Sequence, residues 1–318
     1  FGSAWAFGSE RLQPDGTAPN SPHIMWTKPL NFGGVVGGNN TAIPGVTFYT
    51  GLSYESRFST PMIIYGRLYY RLPFGNNPTG GGYACVDLRT GQQLWVQNLP
   101  ALPSFAQLYD YESMNQHGVV PNGYLWATQT LAGVTYWMAY DGMTGNWLFN
   151  LTNVPSGTMV YAPDGSINIY QLNTANATNG WLAMWNSSAG PNTPLVLTPG
   201  IGTNAYQYRP IGKNANMSTA YAWNATGLTI PTGSTILKVI PNDMVLASTA
   251  SLNPTFFGLG GGTQVYTVSA ISLKPGSRGQ LLWSKTYQPP AGNLTRQFGP
   301  VDPVTRVFTM NDRETMQW

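Results

Sequence analysis

One stretch of the chain gathers groups that could do chemistry. YDYESMNQHG, residues 109–118, brings Asp110, Glu112 and His117 within eight residues, in a protein of 318 residues with twelve Asp and Glu and two His. If residues 109–112 are extended, Asp110 and Glu112 share one face and Tyr109 and Tyr111 the other. Two neighbouring carboxylates couple, which raises one pKa; they could act as acid and base or as hard-cation ligands, with His117 as proton carrier. The competing reading is a loop whose Asp, Asn and His satisfy backbone groups. It is preferred, because the sequence supplies no nucleophile or second histidine nearby. His23 lies 94 positions away, beside Trp26. No catalytic residue is assigned, and Asp110, Glu112 and His117 stand as a possible polar site only.

Other chemistries find little to work with. Two His and one Cys are too few for a clustered zinc site, so no metal is expected. There is no G-x-S-x-G. GLGGGTQVY, 258–266, fails the dinucleotide fingerprint because position 263 is Thr. NNPTGGGY, 76–83, reads as a connection. Net charge is +3 with 15 Lys and Arg spread thinly, which argues against nucleic acid. No apolar run reaches membrane-span length. Cys85, the single cysteine, sits in GYACVDL and reads as a buried strand thiol; no internal disulfide is possible.

The elements that must position these groups read as short strands. Only 8% of residues are charged, against about 25% in ordinary soluble domains. Gly (37) and Pro (25) are plentiful and scattered, and no long amphipathic helical period is found. Two kinds of segment recur. PMIIYGRLYY (61–70), GVVPNGYLW (118–126), MVYAPDGSINIY (159–170) and KVIPNDMVLAS (238–248) read as hairpins. ACVDLRTGQQLWVQNL (84–99), MAYDGMTGNWLFNLTN (138–153) and AISLKPGSRGQLLWSKT (270–286) join an apolar strand to Asp or Ser, then a turn ending at Gly91, Gly145 or Gly279. A second strand follows, with Trp95, Phe149 or Trp283 four places after the Gly, a large aromatic expected to wedge between neighbouring sheets. Asp87 to Asp141 is 54 residues, Asp141 to Asn186 is 45, and Asn186 to Ser272 is 86.

A period in the forties with four short strands per unit predicts an all-β protein, a β-propeller of four-stranded blades. About 5–6 blades would lie in these residues, of about 7–8 in the complete ring. HIMWTKPL (23–30) reads as the last strand of one blade, and GPVDPVTRVFTMNDRETMQW (299–318) as the opening hairpin of another. Residues 1–318 are therefore expected to be one propeller domain and a fragment of a longer secreted protein. Sequons N-x-[ST] occur at Asn39, Asn150, Asn176, Asn186, Asn216, Asn224 and Asn293. With the low charge, they point to an extracellular, N-glycosylated protein at the cell surface.

PMIIYGRLYY followed by VDLRTGQQLW resembles the repeats of PQQ-like propellers, the quinoprotein alcohol dehydrogenase-like superfamily. HIMWTKPLNFGGVVGG, YDYESMNQHGVVP, YDGMTGNWLFNLTNVPSGT and GWLAMWNSS look like a group of large secreted archaeal surface proteins of that superfamily. The resemblance implies a propeller inside a longer surface protein. It does not bring the cofactor with it: quinoprotein dehydrogenases hold PQQ with an adjacent cysteine pair and a calcium cage, and this sequence has no Cys-Cys. No resident cofactor is expected, PQQ included.

Three functions follow as expectations. The first is a structural or assembly protein of a surface layer, filament or sheath, self-associating or bound to other surface proteins. The second is a binding module for carbohydrate or a surface partner. The third is a secreted oxidoreductase or hydrolase centred on Asp110, Glu112 and His117.

Overall fold

The structure is a computed structural model that describes residues 20–28, 61–72, 82–108, 123–162, 165–187, 212–252, 263–292, 294–315 and 317. Every regular element among the described residues is a strand. The first sheet is a meander of β1 (Met62–Ile64), β2 (Arg67–Leu72), β3 (Gly82–Asp87) and β4 (Gln93–Gln97). The second begins the same way, with β5 (Phe105–Gln107), β6 (Tyr124–Leu131), β7 (Val134–Asp141) and β8 (Trp147–Thr152). The third starts with β9 (Thr158–Tyr161), β10 (Ile167–Asn173) and β11 (Gly180–Asn186). Then β12 (Asn214–Asn216) returns to the second sheet and runs parallel along β8, and β13 (Tyr221–Leu228) completes the third against β11. The fourth sheet is β14 (Thr235–Ile240), β15 (Met244–Ser248), β16 (Tyr266–Ser272) and β17 (Leu281–Tyr287), and the fifth is the hairpin β18 (Arg296–Asp302) and β19 (Val307–Asp312).

The all-β expectation holds, but the propeller does not. The described strands form five separate sheets of four, five, four, four and two strands, none of them closed into a barrel or a propeller. Alternating hairpins and turns encode antiparallel meanders, and meanders serve open sheets as readily as closed ones. Closure depends on contacts between sheets, which turn spacing does not record. The regular four-strand count also breaks where β12 joins another sheet.

By contacts, the chain divides into two compact units. One holds the first two sheets and the other holds the remaining three. Inside the former, Ile64, Tyr69, Tyr83 and Cys85 pack with Leu125, Ala127 and Tyr140, so two sheets share one core. In the latter, Tyr170, Leu182 and Leu228 of the third sheet pack with Val239, Val245 and Ile271 of the fourth. Leu246, Val268 and Ala270 then pack with Phe298 and Val301 of the fifth. The inward residues are those the period-2 pattern selects.

Two turn designs explain the meanders. Between β1 and β2, Tyr65 (φ 49°) and Gly66 (φ 73°) both take positive φ, and Ala132 with Gly133 repeats this between β6 and β7. Paired positive φ marks the primed two-residue turn whose twist suits a hairpin. The second design is built on a carboxylate. The Asp87 Oδ1 accepts from Thr90 N at 2.8 Å, Thr90 Oγ1 at 2.9 Å and Arg89 N at 3.0 Å. Asp141 repeats it, with Met143 N on Oδ1 at 2.8 Å and Thr144 Oγ1 on Oδ2 at 3.1 Å. Ser272 replaces Asp in the fourth sheet, with its hydroxyl 2.7 Å from that of Ser277. In all three cases the strand register shifts just before the turn, between Cys85 and Val86, Ala139 and Tyr140, and Ala270 and Ile271. Such a bulge sharpens the local twist.

The glycine that ends this turn receives a side chain from a neighbouring segment. A Cβ on Gly145 would lie 2.7 Å from Gln97 Cγ and 3.0 Å from the Trp95 ring, and one on Gly91 would lie 2.7 Å from the Trp26 ring. Trp26 also donates Nε1 to Leu88 O at 2.8 Å. Of the aromatics expected to wedge between sheets, Trp95 meets a turn that has no side chain in the way and Trp283 stacks on Phe308 of the fifth sheet, whereas Phe149 packs within its own sheet on Tyr124 and Trp126.

Cys85 is fully buried on β3, as its strand context predicts. Burial pushes its thiol up to about 11, despite the opposing charge of Arg67. Burial likewise pushes Tyr170 up to about 12, against the pull of Arg278. Both groups are neutral when protonated, so the folded state holds its protons longer than the unfolded chain. Stability from them is complete below pH 9, the unfolded thiol value, and is lost as pH rises through about 11 and 12. We expect urea midpoints to be flat from pH 6 to 8.5 and to fall steeply above pH 10. A native Cys85 that reacts with a thiol reagent at pH 8 as fast as the denatured chain would contradict this.

Candidate functional site

Asp110, Glu112 and His117 lie outside the described residues, as do Asn39 and Asn293. His23 is exposed, with Nδ1 3.1 Å from Ser21 O. Among the described residues no group of three or more His, Cys, Asp or Glu is placed to hold a metal ion.

The described carboxylates have structural tasks. Asp87 and Asp141 organise turns, and Asp302 organises a further one by accepting from Val304 N at 2.9 Å and from the Thr305 hydroxyl. These bonds hold Asp87 and Asp302 below the usual carboxylate range: the Thr90 N–H is the largest cause for the first and the Thr305 hydroxyl for the second. Glu314 is lowered by the Thr295 N–H, which donates to its Oε2 at 2.8 Å. Asp243 meets Arg306 at 3.0 Å and Lys274 at 3.5 Å, and Asp312 meets Arg296 at 2.6 Å. A carboxylate tied to backbone N–H groups is a weak base and a poor proton donor at neutral pH. These groups make the turns and join them to their neighbours.

The sequons fall into different surroundings. Asn150 is half-buried on β8, its backbone N–H donating to Lys213 O at 3.0 Å. Its side chain is held at both ends: Trp147 Nε1 donates to Oδ1 at 2.8 Å, and Nδ2 donates to Asn214 Oδ1 at 2.8 Å. One step along, Asn153 Nδ2 donates to Asn216 Oδ1 at 2.9 Å. Carboxamides thus lace β12 to the end of β8. Asn186 ends β11, half-buried. Asn224 is exposed on β13, at the margin of the third sheet. Asn176 sits in the loop between β10 and β11. Its Oδ1 accepts from the backbone N–H and the hydroxyl of Thr178, both at 3.0 Å.

The strand margins also differ. β8 is covered by β12, whereas β4 and β17 are the last strands of their sheets. Six of the seven β17 residues are exposed, among them Leu281, Leu282 and Trp283. Trp283 stacks on Phe308 with ring centroids 6.2 Å apart, and Lys285 lies over the Tyr287 ring at 5.0 Å. On β4, Leu94 and Val96 are exposed. A strand at the end of a sheet offers unpaired N–H and C=O groups to another strand, and natural proteins usually protect such margins with charge, Pro or a covering segment. β17 carries a single charge, Lys285. Sequence reasoning identified Trp283 by its place after the turn, but not that its strand would end its sheet among the described strands.

No helix among the described residues is long and apolar enough to cross a membrane. No family model and no curated protein matches the chain. Among solved structures, the chain is similar to the quinohemoprotein alcohol dehydrogenase from Comamonas testosteroni at 12% identity and a TM-score of 0.26, with 81% of this chain and 41% of that chain covered. At that level the likeness is weak, and neither the activity nor the cofactor of that enzyme passes to this chain.

Proposed function

We propose that the protein is a structural component of a cell-surface layer, filament or sheath, extracellular and glycosylated, that assembles with copies of itself through strand margins. The observation that carries this reading is β17, a seven-residue terminal strand with exposed Leu281, Leu282 and Trp283 and one charge. Low charge overall reduces repulsion between copies packed side by side. The seven sequons support an extracellular site. The way β12 adds to β8 within the chain is the same chemistry by which a second copy would add to β17.

The test is electron microscopy of material from the native cells, followed by Leu282→Lys. The expected result is ordered filaments or arrays that disperse in the variant, with its circular dichroism unchanged. Native material found only as separate particles at high concentration would sink the reading. Attention would then pass to the catalytic alternative, an oxidoreductase or hydrolase using Asp110, Glu112 and His117, through activity screens on the wild type and Asp110→Asn.

A further inference from the structure

Resting on the extracellular reading above, we infer that Asn176 carries an N-linked glycan and that Asn150 does not, although both stand in acceptor sequons. The distinction lies in what surrounds each tripeptide. Asn176, Ala177 and Thr178 are all exposed, in a loop outside the strand ladder. Thr178 turns its N–H and hydroxyl onto Oδ1, so the acceptor oxygen is satisfied inside the sequon and no described residue engages Nδ2. The local backbone is tied down beside it, with Ile230 N donating to Ala177 O at 2.9 Å and Asn179 N to Asn176 O at 3.3 Å.

Asn150, Leu151 and Thr152 are the reverse case. Leu151 is fully buried. The tripeptide is paired with Tyr136, Trp137 and Met138 on one side and with Asn214, Ala215 and Asn216 on the other. Both ends of its carboxamide are occupied, by the Trp147 indole and by Asn214. A transferase must grip the whole tripeptide. To do so here it would have to strip β12 from β8 and draw Leu151 out of the core. The remaining described sequons lie between these extremes: Asn216 is followed by fully buried Met217, Asn186 by fully buried Ser187, and Asn224 lies within the β13 ladder.

The donor class is a lipid-phosphate-linked oligosaccharide. Asn176 Nδ2 attacks the anomeric carbon, forming the C–N bond. The bond from that carbon to the phosphate oxygen breaks, the lipid phosphate or pyrophosphate leaves with the electron pair, and one Nδ2 proton passes to a base of the transferase. No oxidant or reductant is needed.

The test is mass spectrometry of chymotryptic peptides from protein purified from its native cells, with Asn176→Gln as the second arm. The expected result is glycan on the Asn176 peptide, an unmodified Asn150 peptide, and an intact mass lowered by one glycan in the variant. Glycan on Asn150 would overturn the exclusion and show that transfer precedes closure of β12 on β8. An unmodified Asn176 with another sequon occupied would overturn the assignment and leave the glycoprotein reading standing. Bare peptides at every sequon would remove both.

Discussion

Trp126→Ala lowers the free energy of unfolding of its unit by about 4 kcal/mol, within the range for emptying a buried aromatic site. Trp126 is fully buried on β6, which lies between β5 and β7 in the second sheet. Its ring is surrounded by Phe105 at 6.4 Å, Trp137 at 5.9 Å, Tyr124 at 5.8 Å and Phe149 at 5.8 Å between centroids. Four neighbouring rings cannot collapse together into the space, because each is held by its own strand. The indole also donates Nε1 to Gln107 Oε1 at 3.2 Å, and Gln107 is itself fully buried. Trp126→Phe separates the two contributions. It keeps a ring in the cluster and removes the donor, and is expected to cost about 1–3 kcal/mol. Urea unfolding followed by circular dichroism measures both. A Trp126→Ala loss below about 1 kcal/mol would show that the cluster repacks and that this ring is not central to the core.

Gly145→Ala has the second largest expected effect, and its origin is different. Gly145 has φ +75°, where an L side chain is strained by about 1–2 kcal/mol. The added methyl would also sit 2.7 Å from Gln97 Cγ and 3.0 Å from the Trp95 ring. Forcing neighbours apart in packed surroundings costs a further ~1–3 kcal/mol. The natural control is Gly133→Ala. Gly133 has φ +79°, but nothing lies within 4 Å of its hypothetical Cβ. That variant bears the backbone strain alone. Thermal and urea unfolding should therefore place Gly145→Ala well below Gly133→Ala. Equal midpoints would mean that Trp95 and Gln97 move aside freely and that the turn does not clamp the two sheets.

Much of this arrangement was legible in the residues themselves. Tyr65-Gly66 and Asp87 to Gly91 are short-range patterns, and short-range patterns determine hairpins and turns. The wedging of Trp95 followed from its fixed offset after the turn glycine. What was not legible depends on partners distant in sequence. Asn214–Asn216 has no strand signal of its own and is extended because β8 offers it a margin. The hairpin read over 299–318 is present as β18 and β19, but the carboxylate design of its Asp302 turn was not legible, because Arg306, at φ 57°, stands at positive φ where the other such turns have glycine. Ring closure was inferred from spacing that only reports the hairpin unit. For the polar site, a cluster of Asp, Glu and His within eight residues drew attention by its rarity. The described carboxylates show the commoner use of acids in this chain, as acceptors for Thr hydroxyls and backbone N–H groups.

The pairing of β12 with β8 has an entropic side. Asn150 and Asn214 are 64 residues apart, whereas the hairpins join near neighbours. Loop-closure entropy grows with the logarithm of the span, so this is the most expensive strand pairing in the second sheet. Three residues of ladder return few backbone bonds for it. The two asparagine-to-asparagine bonds, with the Trp147 indole behind the first, offset part of that loss beside the buried Ala215 and Met217. Carboxamides are suited to the task, since each carries a donor and an acceptor and none brings a charge that water would have to release.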